Sequence, residues 1–149
     1  MRKTDGGGIP GAESMELRFK AELAQMDRVR AFLEQSLRGL MIAEEEYYQI
    51  ELAIHEVCIN IIRYAYPGNR SGEIRMKISA DKRKSEVKIE IRDTGIPFNP
   101  SAADPPDLDA KIRRGDRGGY GIFLSRRIMD VFDYRREDGE NVLRLSKKI

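Results

Sequence analysis

At 149 residues, 40% apolar and 35% charged, the chain fits one soluble domain with a sizeable core. Its 27 Lys and Arg face 25 Asp and Glu, and the net charge of +2 gives no argument for nucleic acid or an acidic membrane surface as a partner. No apolar run is long enough to span a bilayer, no signal-peptide core opens the chain, and the single Cys58 can form no internal disulfide, so the cytoplasm is the expected compartment.

Residues 1–14 hold a Gly triplet and Gly-Ile-Pro-Gly, bury little, and read as a flexible tail. Met15, Leu17, Phe19 and Ala21 alternate, which predicts a strand with one buried face. Leu23, Met26, Val29, Leu33, Leu37 and Leu40 follow helical spacing up to Gly39. A second helix starts near Ala43, with Glu44, Glu45 and Glu46 at its positive end, and runs to Pro67-Gly68-Asn69. Ile74, Met76, Ile78 and Ala80 alternate, as do Val87, Ile89 and Ile91, with Asp81–Lys84 as the turn between two strands. Pro97 and Pro100 stop the second strand after Asp93-Thr94-Gly95. Ser101–Arg117 is a long polar loop, of the kind that is usually a lid or a disordered segment. A short helix through Asp130 follows, then a hairpin of Phe132–Glu137 and Asn141–Lys147 turning at Asp138-Gly139. Partial segregation of helices and strands, with hairpins, predicts an α+β two-layer sandwich: a mostly antiparallel sheet with helices packed on one face.

Three constellations could carry chemistry. On the second helix Glu56 and Asn60 lie four apart at the border of the apolar face, with Arg63 close to the same line. Glu can take a proton from a hydroxyl, and Asn offers a neutral oxygen to a hard cation such as Mg²⁺; an ordinary surface helix carries the same residues. Asp93-x-Gly95 ends a strand, where a carboxylate can accept from an exocyclic amine and a glycine lets the backbone approach a flat ring; a plain Asx turn has the same letters. Arg117-Gly118-Gly119-Tyr120-Gly121 opens a helix, where free N–H groups and the helix dipole suit an anion and Arg117 suits a terminal phosphate; a flexible helix cap reads identically. It is neither a P-loop nor a dinucleotide fingerprint, since no Gly-Lys-Ser/Thr follows and no βαβ unit encloses it. His55 lies within the second helix, and Cys58 on its apolar face reads as a buried structural thiol.

All three occur in one order, and that order resembles the N, G1 and G2 boxes of the GHKL ATPases. The wording of Glu56–Tyr66 (EVCINIIRYAY), Asp93–Pro100 (DTGIPFNP) and Gly118–Asp130 (GGYGIFLSRRIMD), with Asn141–Lys147 (NVLRLSK) as a closing strand, is similar to the anti-sigma-factor serine/threonine kinase group, RsbW/SpoIIAB-like, from about Met15 to the C-terminus. Three positions depart from the pattern: Pro97 replaces the second G1 glycine, Asn99 stands where many relatives carry Asp, and Tyr64 stands where the N-box often has His.

The resemblance implies a Bergerat, histidine-kinase-like ATPase fold over 15–149, with an ATP lid at about 101–117. It implies that Asp93 reads adenine with Gly95 at the ring and that Asn60 holds Mg²⁺. Arg117, Gly118, Gly119 and Gly121 would hold phosphates, and Glu56 would be the general base toward a protein hydroxyl. Implied partners are a STAS-domain anti-anti-sigma factor, a sigma factor and a second copy of the chain; neither direct nucleic-acid nor membrane binding is expected. The expected function is therefore an ATP-binding anti-sigma factor with protein serine/threonine kinase activity. An ATP-gated module that sequesters a regulator with little phosphoryl transfer is the alternative. A nucleotide-free interaction domain built on the cluster Lys111–Arg117 is disfavoured by the balanced charge.

Overall fold

The computed structural model describes residues 12–68, 70–81, 83–100 and 121–149. Its elements are β1 (Ala12–Lys20), a 3₁₀ turn (Leu23–Gln25), α1 (Met26–Leu37), α2 (Glu44–Asn60), a π turn (Ile61–Ala65), β2 (Glu73–Asp81), β3 (Glu86–Asp93), α3 (Gly121–Ile128), β4 (Val131–Glu137) and β5 (Glu140–Lys148). The five strands form one sheet in the order β1-β2-β3-β5-β4, and every neighbouring pair is antiparallel. The expected α+β class and antiparallel sheet are observed.

Alternation decides which face of the sheet is covered. Ile74, Met76 and Ile78 of β2, Val87, Ile89 and Ile91 of β3, and Leu143 and Leu145 of β5 are at most 3% exposed. They share the core with Ile50, Ala53, Ile54, Val57 and Cys58 of α2 and with Val29, Leu33 and Leu37 of α1. The intervening residues carry charge on the other face. There Arg18, Arg75 and Arg92 stand directly opposite one another across three strands. Like charges so placed repel, and Glu side chains interleave them: Glu73 with Arg18, Glu140 with Arg75, and Glu90, Glu137 and Glu140 with Arg92.

Three boundaries differ from the sequence expectation. β1 begins at Ala12, within the expected tail of residues 1–14, because backbone pairing of Ala12, Glu13 and Ser14 with Asp81, Ala80 and Ser79 needs no apolar side chain. The first helix splits into a 3₁₀ turn and α1. The second helix is α-helical only to Asn60 and finishes as the π turn, although its apolar spacing continues. The two hairpins form as expected. Asp81 Oδ1 accepts from the N–H groups of Arg83 (3.0 Å) and Lys84 (3.3 Å) in the first. The second turns on Asp138 and Gly139, both at positive φ, as a two-residue type I′ turn requires. Among the described residues no helix is long and apolar enough to cross a membrane.

Candidate nucleotide-binding site

Glu56 and Asn60 are half-buried at the edge of α2. The Asn60 side-chain N–H donates to the Glu56 backbone carbonyl at 2.7 Å. A carbonyl can only accept, so the amide nitrogen must face it, and Oδ1 is turned the other way. Asn60 is also the last α-helical residue. The wider π turn that follows carries the carbonyl of Ala65 to the loop after β3, where it accepts from the Ile96 N–H at 2.9 Å. The end of α2 and the segment after β3 are thereby joined.

Asp93 is the last residue of β3 and is 2% exposed. Its Oδ1 accepts twice, from the Gly95 N–H at 2.9 Å and from the Asn141 side-chain N–H at 2.8 Å. Among the described residues nothing donates to Oδ2, which keeps its accepting capacity for an outside donor. Burial pushes the Asp93 carboxyl above its ordinary value and Glu140 adds to the rise, against the bonds from Asn141 and Gly95 and the charge of Arg136.

Gly95 has a neighbour within the chain. A Cβ at this position would lie 2.4 Å from the Ala65 carbonyl oxygen and 2.8 Å from the Ala65 Cβ, so only glycine lets the loop close on the π turn. The backbone of Gly95 is held in addition by Arg136, whose Nη1 donates to its carbonyl at 2.9 Å.

The sequence reading missed the hub of this region, Asn141. It is 4% exposed and sits opposite Asp93 in the β3–β5 register. Its Nδ2 donates to Asp93 Oδ1 and to the Ile96 carbonyl, both at 2.8 Å. Its Oδ1 accepts from the Tyr134 hydroxyl (2.6 Å), Arg136 Nη1 (3.1 Å) and the Phe98 N–H (3.3 Å). Its side chain is saturated, so it holds the loop rather than a ligand. No local signal marks it: its pairing with Asp93 is set by the β3–β5 register. Tyr66 was missed too: its hydroxyl accepts from the Thr94 N–H at 2.9 Å and donates to the Glu73 carbonyl at 3.2 Å. Tyr64, the departure from the family pattern, is 52% exposed and packs its ring on Phe98 at 5.3 Å.

Gly121 opens α3. That helix is fastened to α2 by the Ser125 hydroxyl, which donates to the Ala53 carbonyl at 3.1 Å. Arg117, Gly118 and Gly119, with the expected lid at 101–117, lie outside the described residues. Arg63 is exposed and takes part in no described contact. Cys58 is fully buried, which pushes its thiol up to about 12 and agrees with the structural reading.

The histidine kinase-like ATPase domain family matches residues 19–147. The chain belongs to that family. Among its relatives is the serine/threonine-protein kinase BtrW of Bordetella bronchiseptica, 29% identical over 99 residues that cover 66% of this chain and 68% of that protein. The serine-protein kinase RsbW of Bacillus mycoides is 24% identical over 135 residues, covering 88% of this chain and 82% of the relative. The crystal structure of the RsbU and RsbW domains of Rv1364c from Mycobacterium tuberculosis superimposes with a TM-score of 0.62 at 16% identity, over 91% of this chain. This chain spans 32% of the length of that one, and the likeness is one of fold.

Proposed function

We propose that this protein is an ATP-dependent protein serine/threonine kinase of the anti-sigma type, acting on a STAS-domain anti-anti-sigma factor. The observation that carries the reading is the state of Asp93: a buried carboxylate with one oxygen accepting two hydrogen bonds inside the fold and the other accepting none among the described residues. A buried acceptor of this kind selects a ligand that brings a donor, as the adenine amine does, and penalises one that does not. Asn60 supports the same reading, because its Oδ1 is turned from the Glu56 carbonyl and suits a hard cation that takes its remaining ligands from phosphates and water. Mg²⁺ held there would neutralise charge on the transferring phosphoryl group. Arg117, Gly118, Gly119 and Gly121 are assigned to the phosphates.

Phosphoryl transfer asks mainly for positioning. The substrate hydroxyl oxygen forms a bond to the γ-phosphorus as the bridging P–O bond breaks and ADP leaves. Glu56 takes the hydroxyl proton. A sigma factor as second partner, a homodimer and a cytoplasmic location belong to the same proposal.

The test is Glu56→Gln assayed with labelled ATP and STAS-domain proteins of the same genome. Transfer should be lost while ATP affinity stays at the wild-type value. Transfer at full rate removes Glu56 as the base. Nucleotide-dependent binding without transfer by the wild type replaces the kinase reading with an ATP-gated sequestering module.

A further inference from the structure

We infer that the outer face of α2 next to Glu56 is the docking surface for the protein substrate; the inference rests on the kinase reading above. Tyr48, Leu52 and Glu56 fall four residues apart, so they follow one another along the helix at about 6 Å per step. Tyr48 is 57% and Leu52 44% exposed, and no described element packs over them. Large apolar side chains left in water on the helix that carries the proposed base are what a protein partner would cover.

Tyr48 is exposed and yet held. Its ring meets that of Tyr47 edge-on at 5.8 Å, and its hydroxyl donates to Glu44 Oε1 at 3.3 Å. A pre-ordered aromatic loses little freedom on binding, which suits an interface anchor. Glu44, Glu45, Tyr48, Gln49 and Leu52 border a shallow depression. Its acidic end, with Glu44 and Glu45 in no ion pair among the described residues, calls for basic residues on the partner. The opposite flank of α2 is already used, since Arg30 of α1 pairs with Glu51 at 3.2 Å. The occupant is thus a folded protein whose phosphorylated hydroxyl lies beside an apolar patch with a basic rim. The patch seats on Leu52 and Tyr48 and brings the hydroxyl to Glu56.

The experiment measures phosphate transfer by the full chain to STAS-domain proteins of the same genome, as a function of substrate concentration, with ATP affinity measured separately. Leu52→Lys and Glu45→Lys should each raise KM for the protein substrate at least ten-fold and leave ATP affinity unchanged; Glu45→Lys should also lower the thermal midpoint slightly, because Glu45 lies in the first turn of α2. Leu52→Met should behave as wild type. Leu52→Ala, milder on the helix, should give a smaller rise in KM and keeps the test open if Leu52→Lys does not fold. Unchanged KM in the folded Leu52 variants and in Glu45→Lys, with a wild type that transfers, overturns the docking surface alone. A wild type that binds ATP and transfers to none of these proteins overturns the kinase reading and this inference with it.

Discussion

Asp93→Asn separates what the site needs from what the fold needs. In the wild type both internal donors, the Gly95 N–H and the Asn141 side chain, end on Oδ1. An asparagine must place its carbonyl oxygen there to keep them, which forces its NH₂ into the position of Oδ2. On the proposed role of Asp93, the group offered to adenine then changes from a charged acceptor to a donor. A hydrogen bond to a charged group contributes about 1.5–3 kcal/mol, so the ATP dissociation constant should rise about 10- to 150-fold. Stability moves the other way. The folded-state pKa of Asp93 is raised by burial, so the native state holds its proton more tightly than the unfolded chain. Its ionisation therefore costs stability above the folded pKa and costs nothing below the unfolded one. The neutral amide removes that cost. At pH 7.5 the variant should melt at or above the wild-type temperature, and the gap should close as both are acidified toward pH 3. Isothermal titration with ATP and thermal scans at several pH values check both halves. In a chain of this size each kcal/mol moves the midpoint by about 2–4 °C. A midpoint several degrees below wild type at pH 7.5 would show that the charge of Asp93 supports the fold, and an unchanged ATP affinity would show that Oδ2 does not face the base.

Gly95→Ala should destabilise the protein by about 1–3 kcal/mol, the usual cost of overpacking, because its Cβ meets the Ala65 carbonyl rather than a movable side chain; a wild-type melting temperature refutes the contact. Asn60→Ala should abolish the gain in ATP affinity that Mg²⁺ gives the wild type, while loss of its bond to the Glu56 carbonyl costs only about 0.5–1.5 kcal/mol of stability; a persisting Mg²⁺ effect in titrations with and without EDTA removes Asn60 as a ligand. The Cys58 thiol, pushed up to about 12 by burial, should resist a disulfide exchange reagent at pH 8 until denaturant unfolds the chain, and reaction at the rate of a free thiol in the native protein refutes its burial.

The local chemistry of the chain was readable and its long-range partners were not. Alternation in Ile74–Ile78 and Val87–Ile91 fixed both the strands and their covered face, because a period of two admits only one choice of buried side. Glu56, Asn60 and Asp93 could be singled out because each stands in a short motif, and the structure puts the first two at the edge of α2 and the third at the end of β3. Asn141 was not: its partners Asp93, Ile96 and Phe98 are 43–48 residues away, and nothing local marks an Asn after a hairpin as buried. The π turn escaped for a different reason. Apolar spacing through Ile61, Ile62 and Ala65 is compatible with an α-helix, and the extra residue in the turn answers to Gly95, thirty residues downstream.

That turn bears on how the site can work. Asn60 precedes it and Ala65 ends it, so the residue proposed for the metal and the carbonyl that holds Ile96 are five positions apart on one continuous segment. Tyr66, next in the chain, reaches across to the N–H of Thr94. The G1 loop is thus gripped from the helix side by Ala65 and Tyr66 and from the sheet side by Asn141 and Arg136. A displacement of α2 along its axis therefore carries Asn60 and the Asp93 loop together, which would preserve the spacing between the proposed base-reading and metal-holding ends. A protein docked on Tyr48 and Leu52, as inferred above, would push on the same helix. On that docking, a push on α2 shifts Glu56 relative to the incoming hydroxyl, whereas moving Asn60 away from Asp93 also costs the Ala65–Ile96 bond. Partner binding should accordingly change the rate of transfer far more than the affinity for ATP.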